Sequence, residues 1–240
     1  MDTSPLSETE VMVVPLWKRH PKDHELWQQV GAEADEHWAD RVLDTPLEEA
    51  AYFVVDLETS GFSAATDKVL SLAAGCARGR ELPCAIDQYD IVYHPDTRDI
   101  PDFIWELTGL TPQDIQRGKD WKQVLRQALS LAANHVWIAH HARHEVSFLQ
   151  RHARLLWKTH IRPIAIDTAV VAQALARLPK VPTLDFVCAW LDVPVVSRHS
   201  ANGDVLMTAE VWKRQIALCQ SMGLETVGDV IEFSISYASE

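Results

Sequence analysis

Ala51-Tyr52-Phe53-Val54-Val55-Asp56-Leu57-Glu58-Thr59-Ser60-Gly61 is an apolar run that ends in two acids and a turn. Its β-branched and aromatic residues, with no polar alternation before Asp56, read as a strand buried on both faces. Side chains at i and i+2 of a strand share a face, so Asp56 and Glu58 present paired carboxylates where the strand leaves the core. Paired oxygen donors suit a hard divalent cation. Two solvated acids at a surface strand end are the blander reading; the buried run before them argues for the mouth of a cleft.

Two later segments bring further acids. Val136-Trp137-Ile138-Ala139 reads as a strand, His140-His141-Ala142 as a turn, and the chain from Glu145 to Trp157 as a helix with Glu145 near its start. Arg198-His199-Ser200-Ala201-Asn202-Gly203-Asp204 leads into the helical pattern Val205, Leu206, Ala209, Val211 and Trp212, with Ser200 or Asn202 as the N-cap. His199 then falls in the loop and Asp204 in the first turn.

Together, Asp56-Leu57-Glu58-Thr59-x-Gly61, Ala139-His140-His141-Ala142-x-x-Glu145-x-x-Phe148-Leu149 and His199-x-x-x-x-Asp204 resemble the three motifs of the DEDDh (DnaQ-like) 3′-to-5′ exonucleases. That family includes the proofreading epsilon subunit of bacterial DNA polymerase III. The resemblance runs from about Leu47 to Phe233. Ile100-Pro101-x-Phe103-Ile104-Trp105-x-Leu107-Thr108-Gly109-Leu110-Thr111 looks like the family's substrate-side loop, and Ile166-Asp167-Thr168 like the pair that follows a strand. Two positions depart from the family pattern: Glu145 stands where aspartate is usual and His141 where asparagine is usual. Glutamate remains an oxygen ligand, but its carboxylate reaches one methylene farther and shifts the metal position.

The resemblance implies a set of roles. Asp56, Glu58, Glu145 and Asp204 would hold two divalent ions, magnesium by preference with manganese as a substitute, and His199 would act as general base. Leu57 and Thr59 would hold the terminal sugar through their backbone, Phe62 or the Leu107-Thr108-Gly109 loop would touch the last base, and His141 would contact substrate or brace the site. Two functions stand side by side: a 3′-to-5′ exonuclease acting on a single-stranded or frayed DNA 3′ end, with RNA as the rival substrate, and a weakened or non-catalytic 3′-end-binding module that Glu145 would permit. A polymerase or repair partner is expected; the oligomeric state is open.

Composition narrows the class. The chain has 240 residues, enough for one domain with a full core or a domain with an appendage. Its 34 acids against 22 Lys and Arg argue against broad binding to duplex DNA. They allow a short grip on a strand end through metal ions, backbone N–H groups and stacking. No run is long enough to span a bilayer, and Val11-Met12-Val13-Val14-Pro15-Leu16 lacks the flanks of a secretory signal. The expected location is the cytoplasm, without a membrane partner. Cys76, Cys84, Cys188 and Cys219 show neither disulfide nor zinc spacing. His140, His141 and His144 cluster, but no cysteine or paired histidine motif accompanies them, so zinc is disfavoured.

The organisation follows from periodicity. Residues 1–46 read as an N-terminal extension with an amphipathic helix over Asp23–Leu43, taken as a flap packed on the main domain rather than a partner-binding helix. Residues 47–240 read as the catalytic domain. Strands fit Tyr52–Asp56, Val69–Cys76, Ile86–Tyr93, Val136–Ala139 and Ile161–Ile166; helices fit Trp121–Ala133, Glu145–Trp157, Thr168–Leu178, Leu184–Leu191, Asp204–Met222 and Val227–Phe233. A meander followed by alternating helix and strand gives an α/β sandwich with a mixed sheet. The resemblance implies the ribonuclease H-like version, with five strands and the second antiparallel.

Overall fold

A computed structural model describes residues 41–81 and 85–238 of the chain. Almost all of the helix expected over Asp23–Leu43 lies outside the described residues, as does Cys84. The strands are β1 (Ala51–Thr59), β2 (Val69–Arg78), β3 (Gln88–Ile91), β4 (Val136–Ala139) and β5 (Ala165–Asp167). They form one sheet in the order β3-β2-β1-β4-β5. β2 runs antiparallel to both neighbours, while β1, β4 and β5 are parallel. This is the mixed five-stranded sheet expected, with the second strand reversed.

β1 is central and covered on both faces, which is why its sequence shows no polar alternation before Asp56. Phe53, Val55 and Leu57 enter one core cluster. Tyr52 and Val54 enter the other. The helices that complete these layers are α1 (Asp102–Thr108), α2 (Pro112–Gln116), α3 (Trp121–Leu131), α4 (Arg143–Trp157), α5 (Thr168–Ala176), α6 (Leu184–Trp190), α7 (Ala201–Ser221) and α8 (Val227–Ala238). Helices α3 and α4 supply the first face through Val124, Leu125, Ala128, Phe148 and Leu149. Helix α7 supplies the second through Val205, Ala209, Trp212 and Ile216, and the Trp212 ring meets Tyr52 edge-on at 5.6 Å. Burying such side chains contributes roughly 1.5–3 kcal/mol each, so β1 clamped between α4 and α7 is the stable centre on which the strand ends depend.

Several boundaries moved for identifiable reasons. The strand expected over Ile161–Ile166 forms only at Ala165–Asp167, because Pro163 has no N–H to donate to a ladder. The Ile100–Thr111 segment, expected as a loop, is mostly helix. α1 ends at Gly109, whose φ of 68° is the left-handed C-cap that glycine adopts without strain. α2 begins with a capping box in which Thr111 and Asp114 satisfy each other's backbone N–H groups, with Pro112 at the first turn. α7 starts at Ala201 rather than Asp204, and its N-cap is Ser200, which accepts from Gly203 N at 3.3 Å. α8 runs on past Phe233 to Ala238.

Residues just before β1 are stitched to the end of the chain. Pro46 bridges Thr226, Leu47 N donates to Glu225 O, and Val42 packs with Val227. The boundary expected at residue 46 falls inside this contact. Among the described residues no helix is long and apolar enough to cross a membrane, and Cys188 and Cys219 are free thiols.

Candidate metal centre

The parallel strands β1, β4 and β5 all end on one side of the sheet, where open α/β sheets place their ligands. Each delivers polar groups there: Thr59 at the end of β1, His140 and His141 after β4, and Asp167 at the end of β5. Asp56 and Glu58 share the strand parity of Tyr52 and Val54, so they face the α7 side of the sheet. Asp204 sits in the first turn of α7. The three acids meet: one carboxylate oxygen from each lies within 4.8 Å of the others.

The loop before α7 is pulled tightly against the helix. A Cβ on Gly203 would come within 2.3 Å of Ser197 O and 2.6 Å of Val196 O, so this turn closes only with glycine. Ser197 and His199 both take left-handed backbone, with φ of 47° and 59°. The tight turn leaves His199 half-buried, in the loop as expected. It also swings Arg198 inward. Its Nη1 donates to Asp204 Oδ1 and Oδ2 at 2.6 Å each, while its Nε donates to Asp185 Oδ1 at 2.7 Å. Neither Arg198 nor Asp185 was singled out from the sequence, although Arg198 adjoins His199.

Glu145 is placed differently. It is 3% exposed, near the start of α4, and stands outside the group formed by the other three acids. Its Oε2 is buried without a hydrogen-bond partner among the described residues. Burial pushes its carboxyl well above the usual glutamate range, with the charges of Asp167 and Glu58 adding to the effect. Asp56 is likewise driven up by burial, then by Glu145, Asp204 and Glu58. Glu58 is pushed up to about 7 by burial and by Asp204, against the pull of Arg198. Asp204 is raised by burial, which outweighs the ion pair with Arg198.

Buried acids that repel one another and a buried carboxylate oxygen without a partner are groups that a cation would satisfy. The donors are all oxygen, which fits magnesium or manganese.

The expected substrate residues divide into two sets. Phe62 is 96% exposed at the turn after β1, and its ring meets His144 edge-on at 6.1 Å. Thr59 Oγ1 donates to Gly61 O at 2.8 Å and lies 3.2 Å from His144 Nε2. His141 is exposed with φ of 62°, and its backbone N donates to Asp167 Oδ1 at 3.0 Å. The left-handed backbone accounts for the residue type, since asparagine and histidine are both enriched there. Phe62, His141, His144 and Asp167 line one cavity of about 710 Å³. Leu57 and Thr108 are in the second set. Leu57 is buried in the core, and Thr108 donates its hydroxyl to Ile104 O and accepts from Leu110 N, so its side chain closes α1.

His140 is committed to partners within the chain. His140 Nδ1 lies 3.0 Å from Thr168 Oγ1 and its Nε2 3.2 Å from Pro182 O, and burial holds its imidazole neutral, with the pKa pushed down to about 3.

Comparison with known proteins agrees with this architecture. Residues 53–212 match the family model described as exonuclease (RNase T). The chain is 29% identical over 194 residues to a DNA polymerase III subunit epsilon-like protein of Rhodobacter capsulatus, covering 79% of this chain and 27% of that protein. It is 26% identical over 182 residues to a PolC-type DNA polymerase III of Caldanaerobacter subterraneus, covering 76% of this chain and 13% of that one. The chain therefore spans only a minor part of the length of these relatives. Among solved structures, E. coli exonuclease I in complex with a dT13 oligonucleotide superposes with a TM-score of 0.60 at 15% identity, over 73% of this chain and 43% of that one. Cell-death related nuclease 4 superposes with a TM-score of 0.57 at 15% identity, over 75% and 67%. The resemblance carried by the three acidic motifs thus holds across the whole sheet, and this chain belongs to the exonuclease family, in its DnaQ-like branch.

Proposed function

We propose that the chain is a metal-dependent 3′-to-5′ exonuclease that releases nucleoside monophosphates from DNA 3′ ends by two-metal-ion hydrolysis. The observation that carries this reading is the meeting of Asp56, Glu58 and Asp204 beside the exposed Phe62 turn, with the unpartnered Glu145 carboxylate at the rear. Asp56, Glu58 and Asp204 would hold the ions, and Glu145 would join them through Oε2. Held there, divalent ions would supply an acidified water and charge stabilisation at the attacking and leaving oxygens.

The chain's own groups perform the remaining tasks. His199 accepts the proton of the attacking water, a task suited to an imidazole nitrogen with a free lone pair held in the loop before α7. Phe62 offers an exposed ring on which the terminal base stacks, and Thr59 and His144 shape the floor beneath it. Tight closure of the Arg198–Asp204 turn keeps His199 next to the acids. Exonuclease I was solved with a single-stranded oligonucleotide, which supports a single-stranded DNA end as the substrate. The polymerase III relatives support a polymerase as partner. The free thiols of Cys188 and Cys219 suit a reducing cytoplasm.

Incubation with 5′-labelled single-stranded DNA tests this. A ladder shortening from the 3′ end with magnesium or manganese, and an intact strand in chelator, is the expected result. Cutting of a circular single strand, or full activity in chelator, overturns it; an RNA oligonucleotide run alongside decides the sugar. One observation favours a second reading, a weakened 3′-end-binding module: Glu145 stands outside the three-acid group. Retention of the labelled strand without shortening in either metal would select that reading.

A further inference from the structure

The acidic cluster accounts for one end of a substrate, but the chain also carries a basic feature that it does not use. Residues 143–162 hold Arg143, Arg151, Arg154, Lys158 and Arg162, with Glu145 as the sole acid, in a chain whose net charge is −12. A scattered surface population would not concentrate cations this way. Arg143, Ser147, Arg151 and Arg154 follow i, i+4, i+8 and i+11 along α4, so they form one stripe. Phe148 and Leu149 are buried on the opposite side of the helix, together with Glu145.

Two adjoining cavities border this stripe. The first is the cavity lined by Phe62, His141, Arg143, His144 and Asp167. The second, of about 590 Å³, is lined by Ser147, Gln150, Arg151, Arg154, His160 and Arg162 and contains no acidic residue. Ser147 lines both. The cations are not consumed by internal pairing. Among the described residues no carboxylate pairs with Arg151, Arg154 or Arg162, and Arg151 Nη2 donates only to Ala65 O at 3.1 Å, which anchors the stripe to the turn carrying Phe62.

We propose that the second cavity is a phosphate subsite for the upstream backbone of a single nucleic-acid strand, whose terminal base lies at Phe62 and whose chain then follows the α4 stripe. From Arg143 to Arg154 the stripe extends about 16 Å at the helical rise. That length matches about five phosphates at the 3.4 Å axial spacing of one stacked strand. Arginine suits the task because its planar fork donates two hydrogen bonds to one phosphate. The placement resolves a conflict in the composition: an acidic chain repels duplex DNA overall, while one basic track admits a strand in a single direction. This inference rests on the 3′-end reading for its orientation.

Fluorescence anisotropy with 5′-fluorescein dT16 and dT4 in chelator, where no strand is cut, tests it. The wild-type chain should bind dT16 at least about tenfold more tightly than dT4. Arg154→Gln with Arg162→Gln should remove most of that advantage and lower the salt slope for dT16 by about 1.4, the value for two released counterions on a single strand. Equal affinity for the two lengths, or an unchanged dT16 affinity in the double variant, overturns the proposal. So does a cavity that binds inorganic pyrophosphate through these arginines while dT16 affinity stays the same. Charge reversal at Arg154 alone guards against misfolding of the double variant, and should weaken dT16 binding while preserving the thermal transition. The two readings fail separately: length-dependent binding without any cleavage in metal sinks the exonuclease, and cleavage with length-independent binding sinks the subsite.

Discussion

Arg198 Nη1 lies 2.6 Å from both carboxylate oxygens of Asp204, one of three acids that converge beside the end of β1. A fixed cation therefore stands against a proposed metal ligand, and Asp185 holds it from the other side. Charge-assisted bonds of this kind are worth about 1.5–3 kcal/mol.

Metal loading has to compete with that ion pair. Arg198→Met, which keeps an unbranched apolar stem and removes the guanidinium and its charge, should tighten manganese binding about tenfold in calorimetric titration. It should also lower the melting temperature of the metal-free protein, because the acids lose their neutralising neighbour. Weaker manganese binding in the variant would show instead that Arg198 positions Asp204 for the metal.

The pH dependence of stability carries a sign that follows from Glu58. Its folded pKa is raised from 4.5 to about 7 by burial and by Asp204. The fold thus favours the protonated acid, and the stability tied to Glu58 is complete below about 4.5 and lost as pH rises through about 7. Glu58→Gln mimics the neutral acid. In chelator, its melting temperature should match that of wild type near pH 4 and exceed it by several degrees at pH 8. His140 and His152, pushed down to about 3 and about 4 by burial, destabilise both proteins alike below their ordinary value of 6.5, so the difference reads Glu58 together with the Asp56 and Glu145 carboxylates that its charge repels. A gap that shrinks from pH 5 to pH 8 contradicts the assignment.

Asp56 and His199 should differ in what their loss leaves behind. Asp56→Ala should lower kcat by about 10³-fold or more, because several kcal/mol of metal-borne charge stabilisation disappears. His199→Ala should lower it by about 10²-fold, within the range of general-base catalysis. The metal-free Asp56→Ala protein should melt no lower than wild type, since a buried, repelled carboxylate has been removed. Loss of the thermal transition in both variants would make these residues structural.

Glu145 can be separated from its neighbours by length and by charge. Glu145→Asp withdraws the carboxylate and should lower kcat about tenfold, with the larger penalty in magnesium, whose geometry is stricter than that of manganese. Glu145→Gln should leave the stability of the metal-free protein nearly unchanged, as burial already favours the neutral acid there, and should lower the rate in both metals. A faster Glu145→Asp enzyme in steady-state assays refutes a working role for glutamate at this length.

The elements that were legible in the sequence owe their form to local periodicity. β4 over Val136–Ala139 and the end of α4 at Trp157 follow the apolar pattern residue for residue. The buried run of β1 likewise announces a central strand, although its ladder continues past Asp56 to Thr59. Helix α2 was not read from the sequence, although its capping chemistry sits in four adjacent residues, Thr111-Pro112-Gln113-Asp114. The apolar residues Ile161 and Ile164 are buried as a strand would have them, yet Pro163 keeps that stretch out of the ladder; burial and pairing part company where a donor is missing.

Asp56 and Glu58 were bound to share a face by the two-residue repeat of a strand, and Glu145 and Asp204 to stand in first turns by their caps and helical pattern. Those are relations within a few residues, set by backbone geometry alone. Which acids meet was a matter of the fold. Strand parity turns Asp56 and Glu58 toward α7, so Asp204, about 150 residues away in sequence, joins them, while Glu145 enters from α4 on the other layer and stays apart. The same packing draws Arg198 between Asp185 and Asp204 and carries the arginines of α4 past the Phe62 turn. Electrostatic energy depends on separation in space and on burial, and neither exists until the sheet and its two helical layers have closed around β1.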